Sequence, residues 1–199
     1  MVAAKVVEQA GMKGYFGIGV ERISKAMNVG TLFRTAHAFG ASFIFTVASQ
    51  YRKSELRASD TADTPNSLPL YEFADVKSVR LPKECRLVGI ELTPDAVELP
   101  SFHHPRQAAY ILGSEREGLS AEMQQHCDHI IRIPMRFSVN LAVAGAIVMY
   151  DRLIQLGRFA PRAVAEGGPT EGLPEHVFGE PIYMRKRRRR QAKGGSPTD

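Results

Sequence analysis

Between Ile111 and Tyr150 two short apolar runs each give way to a loop of small and polar residues, and a long apolar helix follows. That order constrains the fold more than any other feature of the chain. The run ending ILG (111–113) reads as a buried strand, and SEREGLS (114–120) as an acidic loop bracketed by glycine. HIIRIP (129–134) reads as a second strand, stopped by Pro134. From Leu141 the apolar pattern continues through Ala142, Ala144, Ile147, Val148, Leu153 and Leu156 to Gly157, a core helix. Strand ends that open into loops of little bulk form natural ligand pockets, and Ser114, Glu115, Arg116, Ser138 and Asn140 lie in those loops.

The rest of the chain repeats this grammar. GYFGIGVE (14–21) reads as the first strand. NVGTLFRTAHAF (28–39) has a helical stripe of Leu32, Phe33, Ala36 and Phe39, with Asn28 expected as its N-cap and Gly40 just past its end. SFIFTVA (42–48) is a buried strand, 49–69 a long polar loop, and 71–80 a predicted helix. RLVGIEL (86–92) and QAAYILG (107–113) are further strands, with a Pro-bearing loop between them. SAEMQQHC (120–127) is a short helix capped by Ser120. Strands alternating with helices predict an α/β domain with a mostly parallel sheet and helices on both faces. We divide the chain into an arm (1–13), a catalytic-type domain (14–157), an extension (158–184) and a basic tail (185–199).

Charge is concentrated in that tail. Of the 26 basic residues, seven fall in 185–199 beside one acid, Asp199, so that 1–184 hold 19 basic and 20 acidic residues. The body is near neutral and the tail is a polycation, a composition suited to phosphate contact through counterion release. Cys85 and Cys127 form no C-x-x-C pair, which fits reduced thiols in a cytoplasmic protein. No apolar run reaches the roughly 20 residues of a membrane helix, and the N-terminal residues lack the apolar core of a signal peptide.

Candidate chemistry rests on Asn28, Arg34, Glu115, Ser138 and Asn140. Each alone has a plain structural explanation as a cap or a solvated charge. The six histidines show no metal-binding spacing, and His103–His104 sits in a polar, Pro-flanked stretch. Cys127 beside Asp128 and His129 suggests a thiol nucleophile, but adjacent strand residues point to opposite faces and a structural cysteine fits better. The lack of a metal motif and of a nucleophile motif suggests transfer of a group from an already activated donor.

Three segments carry a resemblance. NVGTLFRTA (28–36), LGSEREGLS (112–120) and IPMRFSVNLAVA (133–144) resemble, in order, the motifs of the SpoU/TrmH family of SPOUT RNA methyltransferases. Those motifs are Asn-x-Gly-x-x-x-Arg, Gly-x-Glu-x-x-Gly, and Ile-Pro-x leading to Ser-x-Asn-Leu. The resemblance spans about 14–157. It implies a deep trefoil knot at the C-terminal end of the sheet, a homodimer, and S-adenosyl-L-methionine held by Leu112, Gly113, Gly118, Ile133, Met135 and Leu141, with no metal.

The implied reaction is methyl transfer to a ribose 2′-oxygen in RNA, with Arg34, Asn28, Glu115, Ser138 and Asn140 as catalytic residues. A guanidinium is a poor base. Arg34 therefore acts either in surroundings that make it one or as a charge stabilising a developing alkoxide. Only about a dozen residues precede the first strand, whereas many family members carry an RNA-binding domain there. That compact build resembles members acting on tRNA more than those acting on rRNA. Two alternatives stand beside this: a non-catalytic RNA-binding protein with the knotted fold, and a SPOUT enzyme methylating a base.

Overall fold

Strand β1 (Tyr15–Glu21) alternates bulk and absence of bulk, and the sheet is built on that alternation. Phe16, Ile18 and Val20 point to one face and are buried there. On the other face Gly17 and Gly19 leave room for the rings of Phe43 and Phe45, whose strand β2 (Phe43–Val47) pairs with β1 in parallel, Gly17 opposite Phe43 and Gly19 opposite Phe45. A Cβ at either glycine would collide with those rings. In this computed structural model the described residues are 14–23, 25–49, 68–157, 159 and 166–168.

Five more strands complete the sheet: β3 (Leu70–Phe73), β4 (Arg86–Ile90), β5 (Val97–Glu98), β6 (Gln107–Leu112) and β7 (His129–Arg132). The order is β3-β2-β1-β6-β4-β7-β5, and every pairing is parallel. Helices α1 (Ala26–Ala38) and α3 (Leu141–Leu156) cover the face carrying Phe16, Ile18 and Val20. They pack closely because Gly145 of α3 presents no side chain to Leu32 of α1. The short helix α2 (Ala121–His126) and a 3-10 turn at Val76–Ser78 cover the opposite face through Met123, Leu119, Val76 and Val79. Helices thus lie on both faces of an α/β sheet. Burying each large apolar side chain contributes about 1.5–3 kcal/mol, and both layers are assembled from such residues.

Three sequence expectations are corrected. The helix expected at 71–80 is strand β3 followed by the 3-10 turn. Its residues are only partly buried at the sheet edge, so their polar pattern does not announce a strand. The loop between the third and fourth expected strands contains β5, two exposed residues paired with β7. Lys25, not Asn28, is the N-cap of α1, and Asn28 lies inside the first turn with its amide bonded to the Lys25 carbonyl at 3.2 Å. The expected ends of α1 and α2 agree: Gly40 has φ +73°, and the Ser120 hydroxyl accepts the Met123 amide at 3.0 Å.

The chain divides into two units after Arg158, and all the elements above belong to the first. The arm 1–13, nearly all of the 49–69 loop, most of the extension and the whole basic tail lie outside the described residues. No helix among the described residues is long and apolar enough to cross a membrane.

At the amino ends of the strands a buried polar network replaces apolar packing. Arg152 of α3, 1% exposed, donates to the carbonyls of Pro105 (2.5 Å), Arg106 (2.8 Å) and Tyr15 (3.2 Å) and to the Tyr110 hydroxyl (3.2 Å). Its guanidinium also lies over the Phe16 ring, 5.4 Å from the centroid. The Asp151 carboxylate, 3.0 Å from His104 Nε2, can only accept, which places the proton of the neutral ring on Nε2 and leaves Nδ1 to accept from the Tyr110 hydroxyl at 2.6 Å. His104 is therefore buried, contrary to the polar stretch expected from its neighbours. Burial pushes its pKa down despite the pull of Asp151, and burial pushes the Tyr110 phenol up to about 12.

Candidate functional site

Because all strands run the same way, their carboxyl ends share one edge, and the loops after β1, β4, β6 and β7 meet there. The loops after β4, β6 and β7 enclose a cleft of about 370 Å³, a size suited to a small-molecule ligand. Leu112, Gly113, Gly118, Ile133, Met135 and Leu141 all line it, joined by Ile90, Leu92 and Ala144. Its walls mix apolar and polar residues, with the carboxylates of Glu91 and Glu115 and the single cation Arg132 among the lining residues.

The loop after β6 forms one wall, and its glycines are needed for close approach. Ser114 and Gly118 form an antiparallel bridge, with the Gly118 amide on the Ser114 carbonyl at 2.9 Å. Gly113 lies so near the Gly118–Leu119 backbone that a Cβ would collide with it, and Gly118 has φ +65°. Two carboxylates from neighbouring strand ends hold this loop. Glu91, just past β4, accepts the Leu119 amide at 2.6 Å and the Leu92 amide at 2.8 Å. Glu21, the last residue of β1 and 1% exposed, accepts the Ser120 amide at 2.7 Å and hydroxyl at 2.5 Å.

A polar cluster sits at the rim. The Asn28 side-chain amide donates to Glu115 Oε1, and the Asn140 amide donates to Asn28 Oδ1 at 3.3 Å and to Glu115 Oε1 at 3.4 Å. Asn140 also caps α3, accepting the Ala142 amide at 2.9 Å, so its two faces serve helix and cluster at once. Lys25 Nζ completes the group 2.8 Å from Glu115 Oε2. Three residues far apart in sequence, Asn28, Glu115 and Asn140, are thereby brought together, and Ser138 lines the same cleft.

Arg34 is not part of this cluster. It lies on an exposed face of α1 with Met27 and Thr31, and its side chain makes no hydrogen bond or ion pair among the described residues. Three residues of the site escaped sequence reasoning: Lys25, Glu91 and Glu21. Each acts through a partner distant in sequence, and the only available hint was a charged residue at a strand end or just before a helix.

The surroundings of Cys127 suit a structural cysteine better than a nucleophile. Burial, with Asp128 and Glu21 nearby, pushes its thiol up to about 12, which keeps it protonated. No group of three or more His, Cys, Asp or Glu among the described residues is placed to hold a metal.

The fold and site define a parallel α/β protein with a glycine-walled cleft at the strand ends and an amide-carboxylate cluster on its rim. Residues 16–150 match the SpoU rRNA Methylase family, and the chain belongs to it. Among curated relatives it is 28% identical over 148 residues to a tRNA (guanosine(18)-2'-O)-methyltransferase of Borreliella burgdorferi, covering 71% of this chain and 67% of that protein. It is 27% identical over 145 residues to the 23S rRNA (guanosine-2'-O-)-methyltransferase RlmB of Bordetella pertussis, covering 68% and 58%. The first curated relatives are spanned for between 9% and 67% of their own length. An AdoMet-bound rRNA methyltransferase from Sinorhizobium meliloti shares the fold, with TM-score 0.63 and 23% identity over 74% of this chain and 59% of that one.

Proposed function

We propose that this protein transfers the methyl group of S-adenosylmethionine to a ribose 2′-oxygen of RNA, with tRNA favoured over rRNA. The observation that carries this reading is the Asn28–Glu115–Asn140 cluster at the mouth of the glycine-walled cleft. Both curated relatives described above are named as guanosine 2′-O-methyltransferases, one of tRNA and one of 23S rRNA.

The cleft suits this donor. Leu112, Ile133 and Leu141 supply apolar walls for a flat ring, and the crowded backbone at Gly113 offers main-chain groups rather than side chains. Glu91 and Glu115 place carboxylates along a lining that a cationic ligand would favour. When bound, the donor supplies an already activated methyl group.

The residues of the chain then have positioning to do. Asn28 and Asn140 share Glu115, which fixes the direction of both amides, and the second N–H of Asn28 and the second lone pair of its Oδ1 are left for a substrate hydroxyl. Lys25 holds the second oxygen of Glu115, so the carboxylate stays an acceptor with its orientation set. Arg34 acts on the ribose as a charge that stabilises oxygen as its proton leaves.

Since Arg34 stands outside the cluster, we assign its action to a dimer, in which helix faces of two copies complete the site. Val143, Ile147 and Tyr150, exposed at one helical period on α3, offer the apolar face that a second copy would cover. We further infer the trefoil knot of the family at the C-terminal end of the sheet, supported by the position of β6 between β1 and β4 and by the packing of α3 on α1. The basic tail strengthens RNA capture through phosphate contacts.

The test is incubation with labelled donor and unmodified total RNA, digestion to nucleosides and mass spectrometry. A 2′-O-methylated nucleoside is the expected product. A base-methylated nucleoside would assign the chain to base methylation, and RNA binding without any transfer would make it a non-catalytic RNA-binding protein.

A further inference from the structure

Beside the donor cleft lies a second one of about 250 Å³, lined by Arg22, Lys25, Arg116, Glu117 and the Ser114–Glu115 pair that it shares with the first. We propose that this second cleft seats a backbone phosphate of the RNA at the target nucleotide. The proposal rests on the ribose-methylation reading above and names where the strand is gripped.

The chemistry of the substrate requires such a seat. The 2′-oxygen and the 3′-phosphate leave adjacent carbons of one ribose. An oxygen presented to Asn28 and Asn140 therefore carries a phosphate within one sugar's width of Glu115. The second cleft shares Ser114 and Glu115 with the first and brings three cations to two carboxylates.

Two of those cations, Arg22 and Arg116, are available. Arg116 is exposed and makes no ion pair among the described residues. Arg22 Nη1 pairs with the exposed Glu117 at 3.0 Å, and such surface pairs are worth about 0–1 kcal/mol, so a phosphate can replace the carboxylate. Arg22 Nε is buried with no hydrogen-bond partner, its nearest acid being Glu21 at 3.9 Å. The backbone of Arg22 is held at φ +52°, a conformation that costs energy for a residue with a side chain and that aims this guanidinium at the loop, where Nη2 donates to the Gly118 carbonyl at 3.3 Å. The Lys25–Glu115 pair at 2.8 Å joins a residue of the second cleft to one that lines both, linking the phosphate seat to the cluster that positions the ribose.

The experiment measures binding of fluorescently labelled unfractionated tRNA to the full chain across salt concentrations. Wild type is compared with Arg116→Gln and with the Arg22→Gln/Arg116→Gln double variant. Arg116→Gln should weaken binding about threefold and the double variant about tenfold, each phosphate no longer neutralised lowering the salt slope by about 0.7. Affinity for S-adenosylmethionine, measured by equilibrium dialysis, should stay unchanged in Arg116→Gln, which supplies the donor control because the double variant also loses the Arg22 bond to the Gly118 carbonyl of the donor cleft. If wild type binds RNA and both variants match it in affinity and slope, the phosphate seat is wrong while the transferase reading stands. If wild type binds no RNA at any salt concentration, both fall. The single variant alters an exposed side chain, so its result does not depend on Arg22's part in folding.

Discussion

Glu21 and Ser120 are joined twice, by the amide at 2.7 Å and the hydroxyl at 2.5 Å, across a separation of 99 residues. This pairing ties the end of β1 to the end of the loop that walls the cleft. Glu21→Ala leaves two donors facing an apolar space, and we expect it to lower stability by about 2–3 kcal/mol. Urea unfolding checks the figure. A loss below about 0.5 kcal/mol would show that the loop is held by other interactions.

Gly113→Ala places a methyl group against the Gly118–Leu119 backbone. The loop must shift to admit it, at a cost of about 1–3 kcal/mol. Since that loop is a wall of the cleft, affinity for S-adenosylmethionine should fall about tenfold or more while thermal unfolding stays cooperative. Calorimetric titration of the donor is the measurement.

Two substitutions separate holding the donor from acting on the ribose. Arg34→Ala should abolish methyl transfer and leave donor binding within a few-fold, because Arg34 lies outside the cleft lining. Glu115→Ala removes the acceptor shared by Asn28, Asn140 and Lys25 and should lower turnover by about 100-fold or more. Near-normal turnover in either variant would remove that residue from the mechanism.

Stability should fall in mild acid because of His104. Burial lowers its pKa in the folded chain, so the unfolded chain takes up a proton first. The stabilisation is complete above the ordinary histidine value of about 6.5 and is lost as pH falls from there towards the folded value. Urea midpoints should therefore drop between about pH 7.5 and 5.5. His104→Gln should start lower, having lost its links to Tyr110 and Asp151, and should show a smaller drop over the same range.

Truncation after Tyr183 removes all seven basic residues of 185–199. RNA affinity should weaken and its salt dependence flatten, by about 0.7 for each phosphate the tail would have neutralised. Titrations at several salt concentrations decide it, and an unchanged slope would leave the tail without a part in RNA binding.

Much of the fold was legible in the residues themselves. Central strands such as Phe43–Val47 and Gln107–Leu112 are buried on both faces, so they are nearly continuous apolar runs bounded by polar residues. Helices α1 and α3 carry their apolar stripes openly. The edges were not legible: Leu70–Phe73 is partly buried and Val97–Glu98 exposed, and such strands form because a neighbour offers unpaired backbone groups.

The same division runs through the site. Asn28, Glu115, Ser138, Asn140 and the glycines of the β6 loop stand out as local patterns, because short polar residues and glycines mark loops wherever they fall. Lys25 against Glu115, Glu91 against Leu119 and Glu21 against Ser120 carry no such mark, since each pairing spans 28 to 99 residues and exists only when parallel strands bring their carboxyl ends to one edge. The Ile111–Tyr150 stretch could specify its strands, its tight loop and its helix from local preference alone. Which charges lock that loop, and which cations stand beside it, was decided by the stacking order of the sheet.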